Sequence, residues 1–171
     1  MSLTTKVRED PVYIRSRRGL ENLKKTIEVE NILNELFSMH ASRGVTALRP
    51  NVVLQSSVAV LLKSTTQEIT VRSRATTIKM TVLRVLLKLD QTIDPLRKYI
   101  LVTYQKEFKE LGIGVTNQKN STENILSPFL NFKRQLDSVL RIADLVIEDI
   151  DSAGWGLKRI QETIEQSSRD R

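Results

Sequence analysis

SPFLNFKRQLDSVLRIADLVIEDIDSAGWGLKRIQETIEQ, residues 127 to 166, decides the fold class of this chain. It opens with Ser127-Pro128. Serine is a favoured N-cap, and proline suits the first helical position because its missing N–H would be unpaired there. Behind them Phe129, Phe132, Leu136, Leu140, Ala143, Ile147 and Ile150 recur at steps of three and four. The series resumes with Leu157 and Ile164, and Val139, Val146 and Ile160 widen it. Such spacing draws one heptad-like apolar seam along a helix. Asp137, Arg141, Asp144, Glu148 and Asp151 occupy the other side. A helix this long cannot bury its seam alone, so the rest of the chain or a partner must cover it. The expectation is an all-α bundle of four to five helices with a long C-terminal helix. Two glycines cost roughly 1 kcal/mol each in a helix interior. A kink, or a stop and restart, is therefore expected at Ala153-Gly154-Trp155-Gly156.

The upstream sequence supplies the remaining helices. Residues 1–15 are polar, contain Pro11 and show no periodicity, which predicts a flexible N-terminal arm ahead of a single bundle domain over 16–168. Leu20, Leu23, Ile27, Ile32, Leu33, Leu36, Phe37 and Met39 then predict one amphipathic helix, with Arg43-Gly44 as its stop. A second helix is expected from Pro50-Asn51 through Leu62, although its β-branched residues make a strand the competing reading. Ser64 to Gln67 marks a turn or a weak spot.

From Gln67 to Thr92 the pattern is double. Val71, Ala75, Ile78, Val82, Val85, Leu89 and Ile93 form one stripe, and Ile69, Met80, Leu83 and Leu87 form another. Thr70, Arg74, Thr77, Thr81, Arg84 and Lys88 lie between them. A helix apolar on two faces is either central to a bundle or holds one stripe for another subunit. Asp94-Pro95 is expected to break the helix, because the residue before a proline is pushed away from helical angles. Leu96, Ile100, Tyr104, Phe108 and Leu111 continue the stripe to Gly112, and residues 112–126 read as a loop.

Composition narrows the function classes. With 171 residues, 40% hydrophobic and 27% charged, the chain resembles a soluble globular domain. The absence of cysteine excludes disulfides, thiolate chemistry and cysteine metal sites. His40 is the single histidine, too few for a zinc site or a di-iron bundle, and reads as a helix-end or surface residue. Asp144, Glu148 and Asp151 share a face that suits Mg²⁺ or Ca²⁺, but their interleaving with Arg141 is that of a solvated charged face. Asn120-Ser121-Thr122 matches a glycosylation acceptor and reads as plain polar loop. No glycine-rich phosphate loop, nucleophile elbow or metalloprotease motif occurs. The expectation is no enzyme, no cofactor and no small-molecule substrate. The N-terminus lacks the apolar core of a secretory signal, and no run is long enough to span a bilayer. An intracellular protein, cytoplasmic or nuclear, is expected, neither secreted nor transmembrane.

The net charge of +7 is uneven. Residues 1–25 and 41–90 are strongly basic, whereas 121–171 are slightly acidic. That asymmetry signals an anionic partner, or basic and acidic elements facing each other. The first functional expectation is a helical interaction protein, a subunit or adaptor of a larger assembly, with a protein partner or self-association. Its interface residues would be Met80, Leu83, Leu87 and Trp155. One alternative is nucleic-acid binding or packaging, as in a coat or nucleocapsid protein, through Arg15, Arg17, Arg18, Arg74, Arg84 and Lys88. The other is an anionic membrane surface.

Overall fold

A computed structural model of the chain describes residues 2–43, 49–53, 55 and 57–169. It is all-α. Among the described residues the helices are α1 (Leu3–Glu9), α2 (Pro11–Thr26), α3 (Val29–Ala41), α4 (Pro50–Val53), α5 (Val58–Thr103), α6 (Gln105–Glu110), α7 (Val115–Ile125) and α8 (Ser127–Arg169). The chain divides into two compact units. Unit 1 is Met1–Val29 with Val82–Ser138, and unit 2 is Glu30–Thr81 with Val139–Arg171. Both long helices, α5 and α8, contribute to each unit, where sequence reading expected a single bundle domain.

Unit 1 is built on the predicted buried stripe of α5. Val82, Val85, Leu89 and Ile93 are buried, and Leu96, Ile100, Tyr104 and Phe108 extend the row. Phe129, Phe132 and Leu136 of α8 are buried with them. Residues 1–15 do not form the expected arm. Ser2 caps α1, and Asp10 caps α2 by accepting the Val12 N–H at 2.7 Å. Val7 and Tyr13 are fully buried. The Tyr13 ring meets Phe129 edge-on, 6.0 Å between centroids, and its hydroxyl donates to the Ile125 carbonyl at 3.1 Å. The sequence signal was weak because only two apolar side chains hold this segment.

Asp10 also closes a small polar clasp. Its Oδ2 accepts from the Tyr104 hydroxyl at 2.8 Å and from the Tyr99 hydroxyl at 3.0 Å. Burial pushes the Asp10 carboxyl up, but the Tyr104 and Tyr99 hydroxyls and the Val12 amide outweigh it and hold the group below its ordinary value. The same arrangement raises the Tyr104 phenol, through burial first and the Asp10 carboxylate second.

Unit 2 packs α3 and the first half of α5 against the far half of α8. Leu36, Val71, Ala75, Ile78, Ala143, Val146 and Ile150 are buried there. The two long helices run antiparallel in this unit. Arg72 pairs with Asp151 and Lys79 with Asp144, seven residues on along α5 and seven back along α8.

Several expected breaks are absent. The segment Ser64 to Gln67 lies inside α5, and α5 also passes through Pro95. Proline there removes one hydrogen bond, to the Gln91 carbonyl, and crowds the turn. Pro95 and Gln91 are both exposed, while Leu89, Ile93, Leu96 and Ile100 are buried on the opposite side. The buried row carries the helix across its defect. The helix runs on for more than two turns past the proline and ends at Thr103, with Tyr104 between α5 and α6. α8 likewise continues through Gly154-Trp155-Gly156 without interruption.

The converse error occurs near residue 27. One helix was expected, but Ile27 is extended (φ −130°, ψ 108°) and separates α2 from α3. Ile27 is buried, so the bend keeps an apolar side chain covered. The expected loop over 112–126 is short. Gly112 adopts φ +63° and ends α6, with Ile113 N–H bonded to the Phe108 carbonyl at 3.0 Å. α7 then begins at Val115, with Thr122 and Ile125 buried. Its polar residues lower helix propensity by tenths of a kcal/mol each, less than the burial gained. Gly44 and most of the connector to Pro50 lie outside the described residues.

Pro95→Ala should restore the missing bond at an exposed site and raise stability by about 1–3 kcal/mol, read from urea unfolding. An unchanged midpoint would show that the turn has relaxed around proline. The Asp10 clasp predicts an acid limb. A carboxyl depressed on folding contributes above its unfolded value and loses that contribution as pH falls through the folded one, below about 4. Asp10→Asn should lower thermal stability at pH 7 and flatten its decline in that acid range.

Candidate interaction site

In unit 2 the buried face of α5 carries one charge among apolar residues, Glu68, four residues after Ser64 and three before Val71. A buried carboxylate needs a partner. Arg43, just after α3, supplies it. Its Nε lies 3.1 and 2.9 Å from the two Glu68 carboxylate oxygens, and Nη2 lies 2.6 Å from Oε2. Both side chains are nearly covered, 2% and 7% exposed. Arg43 Nη1 also bonds to Asp149, which accepts from or pairs with His40 Nε2 at 3.1 Å. Burial raises the Asp149 carboxyl, but His40 and Arg43 together hold it low. The Gln67 amide donates to the Ser42 carbonyl beside them. This network ties the end of α3 to α5 and α8.

On the next turns α5 and α8 leave an open apolar cleft of about 390 Å³. Ile69 and Ile150 line it with Leu157 and Trp155, and Gly154 contributes bare backbone. Glu68, Arg72, Asp151 and Lys158 form its polar edge. Arg72 grips Asp151 with two bonds, 2.6 and 3.0 Å. That guanidinium holds the Asp151 carboxyl below its ordinary value. Ile69 and Trp155 are 63% and 64% exposed. The Lys158 ammonium sits 5.5 Å from the Trp155 ring centroid, a cation–π contact that leaves most of the indole uncovered.

The glycines flanking Trp155 add a further fact. A Cβ built at Gly154 or Gly156 meets nothing within 4 Å. Packing among the described residues therefore does not require either glycine, although both weaken an uninterrupted helix.

The remaining expected site residues fall as follows. Met80 lies on α5 in unit 2, and Leu83 and Leu87 lie on α5 in unit 1; all three are exposed. Ile69 shares their stripe and is exposed as well, so the described residues leave the second stripe of α5 uncovered. Arg15, Arg17 and Arg18 lie on α2, and Arg84 and Lys88 on α5, all exposed. Arg74 is different. It forms a two-bond pair with Glu35, at 2.5 and 3.0 Å, and holds that carboxyl low. The hydroxyls of Thr70, Thr77 and Thr81 donate to carbonyls one turn back, at 2.8, 3.0 and 2.9 Å. Of the acidic trio, Asp144 pairs with Lys79 and Asp151 with Arg72, and no group suited to hold a metal ion occurs among the described residues.

Sequence reading missed Arg43, Glu68 and Asp149. The available signal was Glu68 itself, an acid at a position the stripe marks as core. Arg43→Ala should leave that carboxylate buried without its partner and cost about 3 kcal/mol or more. Arg43→Met with Glu68→Met should recover most of the loss in urea unfolding. A single variant as stable as the parent would mean the pair is solvated.

Compared with known protein families, characterised proteins and solved structures, the chain matches none.

Proposed function

We propose that the chain is a non-enzymatic interaction protein that assembles with a second copy of itself through the cleft of unit 2. The observation that carries this reading is Trp155, exposed between two glycines on an unbroken helix, beside an apolar cleft large enough for an indole. An anchor and a socket on one surface are what a two-fold interface requires, because each copy must offer both. Tryptophan is also the side chain that most often dominates such contacts. Gly154 and Gly156 allow a partner backbone to approach without meeting a Cβ. The edge of the cleft carries both signs, Arg72 and Lys158 with Asp151, so a copy facing a copy avoids like-charge opposition.

Trp155 is the only tryptophan, so its emission reports on this surface alone. Light scattering on the full chain should give the mass of a dimer, and emission should move to the blue as concentration rises. Gly154→Leu, which fills the cleft, and Ile69→Asp, which charges it, should each return the mass to a monomer with unchanged helicity. A parent that stays monomeric at every concentration sinks the reading. So does a dimer indifferent to both substitutions.

A further inference from the structure

The excess positive charge is concentrated in one unit. Unit 1 holds sixteen lysines and arginines against ten acids, whereas unit 2 holds eleven against ten. In unit 2 the cations of α5 are matched: Arg72 by Asp151, Arg74 by Glu35 and Lys79 by Asp144. In unit 1 the ion pairs among the described residues take Lys24, Arg97 and Lys133. Arg15, Arg17 and Arg18 of α2, and Arg84 and Lys88 of α5, enter none of them and are exposed.

These cations lie beside exposed aliphatic side chains. Leu83 and Leu87 stand one turn apart on the outward side of α5, and Leu87 is 62% exposed. Arg84 and Lys88 repeat the same four-residue step next to them. The result is an apolar row with a cationic row along it. On α2, exposed Ile14 stands one turn before Arg18, and Arg15 and Arg17 are exposed on the same helix.

Four occupants compete for such a face. A second copy is disfavoured on α5, because α5 has no acid between Glu68 and Asp90 and Arg84 would oppose its own image. A nucleic acid would satisfy the cations but gain nothing from the leucines, and the rows hold no aromatic ring for a base to stack on. A peptide helix seeks a groove, whereas the outward ridge of one helix is convex. An anionic bilayer surface accepts convex aliphatic ridges at the headgroup boundary and attracts the flanking cations.

We infer that unit 1 docks on an anionic lipid surface, with Leu83 and Leu87 entering the headgroup boundary and Arg84 and Lys88 facing lipid phosphates and carboxylates. This surface shares no residue with the cleft of unit 2, and the two proposals stand or fall separately.

The test is co-sedimentation of the full chain with phosphatidylcholine vesicles, with and without phosphatidylserine. Binding is expected only when phosphatidylserine is present. Arg84→Glu with Lys88→Glu should weaken partition by about thirtyfold or more, since each surface cation counts for about fivefold. Leu83→Asp with Leu87→Asp should remove binding while helicity stays unchanged, and the milder Leu87→Ser should weaken it. Failure to sediment with phosphatidylserine vesicles overturns the inference. Sedimentation that survives the leucine substitutions overturns it too, since that is adsorption by charge alone, which duplex DNA would reproduce.

Discussion

The whole structure rests on the burial of one row of α5 against the apolar seam of α8. In each unit the same two helices supply the central cover, and the shorter helices fill what they leave open. Burying apolar surface is worth about 25 cal/mol per Å², and the row on α5 continues without a gap from Val71 to Ile100. That continuity explains why local defects do not interrupt the helix. A proline, a run of threonines and a polar Ser-Thr-Thr-Gln segment each weaken helix formation locally. Pro95, Thr70, Thr77 and Thr81 lie on exposed sides, and Ser64, though buried, precedes the row.

Much of this was legible in the amino-acid order. The stripe from Val71 to Ile93 is buried as its spacing implies, and so is most of the seam from Phe129 to Ile150, although Leu140 and Ile147 are half-buried while Val139 and Val146 are buried. The second stripe of α5, Ile69 with Met80, Leu83 and Leu87, was also visible as separate from the first. The breaks were less legible, for a common reason. Pro95, Gly154 and Gly156 are local punctuation, and local signals lose to tertiary cover when they fall on an exposed side. Ile27 shows the reverse, a helix ended so that an apolar side chain can stay buried. The N-terminal segment was hidden because two side chains, Val7 and Tyr13, and one carboxylate, Asp10, hold it. Periodicity cannot register so few points.

Charge follows the same division. Acids on α8 answer cations on α5 in unit 2, so an uneven sequence becomes a nearly balanced surface there. The buried Arg43–Glu68 pair is the extreme case, two charges removed from water and matched by geometry. Unit 1 matches fewer of its cations and carries its excess outward on α2 and α5. The candidate site in unit 2 was only partly visible beforehand. Trp155 stood out as the single tryptophan, but the cleft beside it depends on which turn of α5 faces α8, which no linear pattern states.

The threonine hydroxyls of α5 have an effect beyond helix geometry. Those of Thr65, Thr66, Thr70, Thr76, Thr77, Thr81 and Thr92 all point their protons back at carbonyls of the preceding turn. Each such residue then offers water a methyl group and an oxygen whose donor is already engaged. Along this flank of α5 the hydroxyls can therefore receive hydrogen bonds from water or a partner but not give them, so a partner that approaches there must bring its own donors.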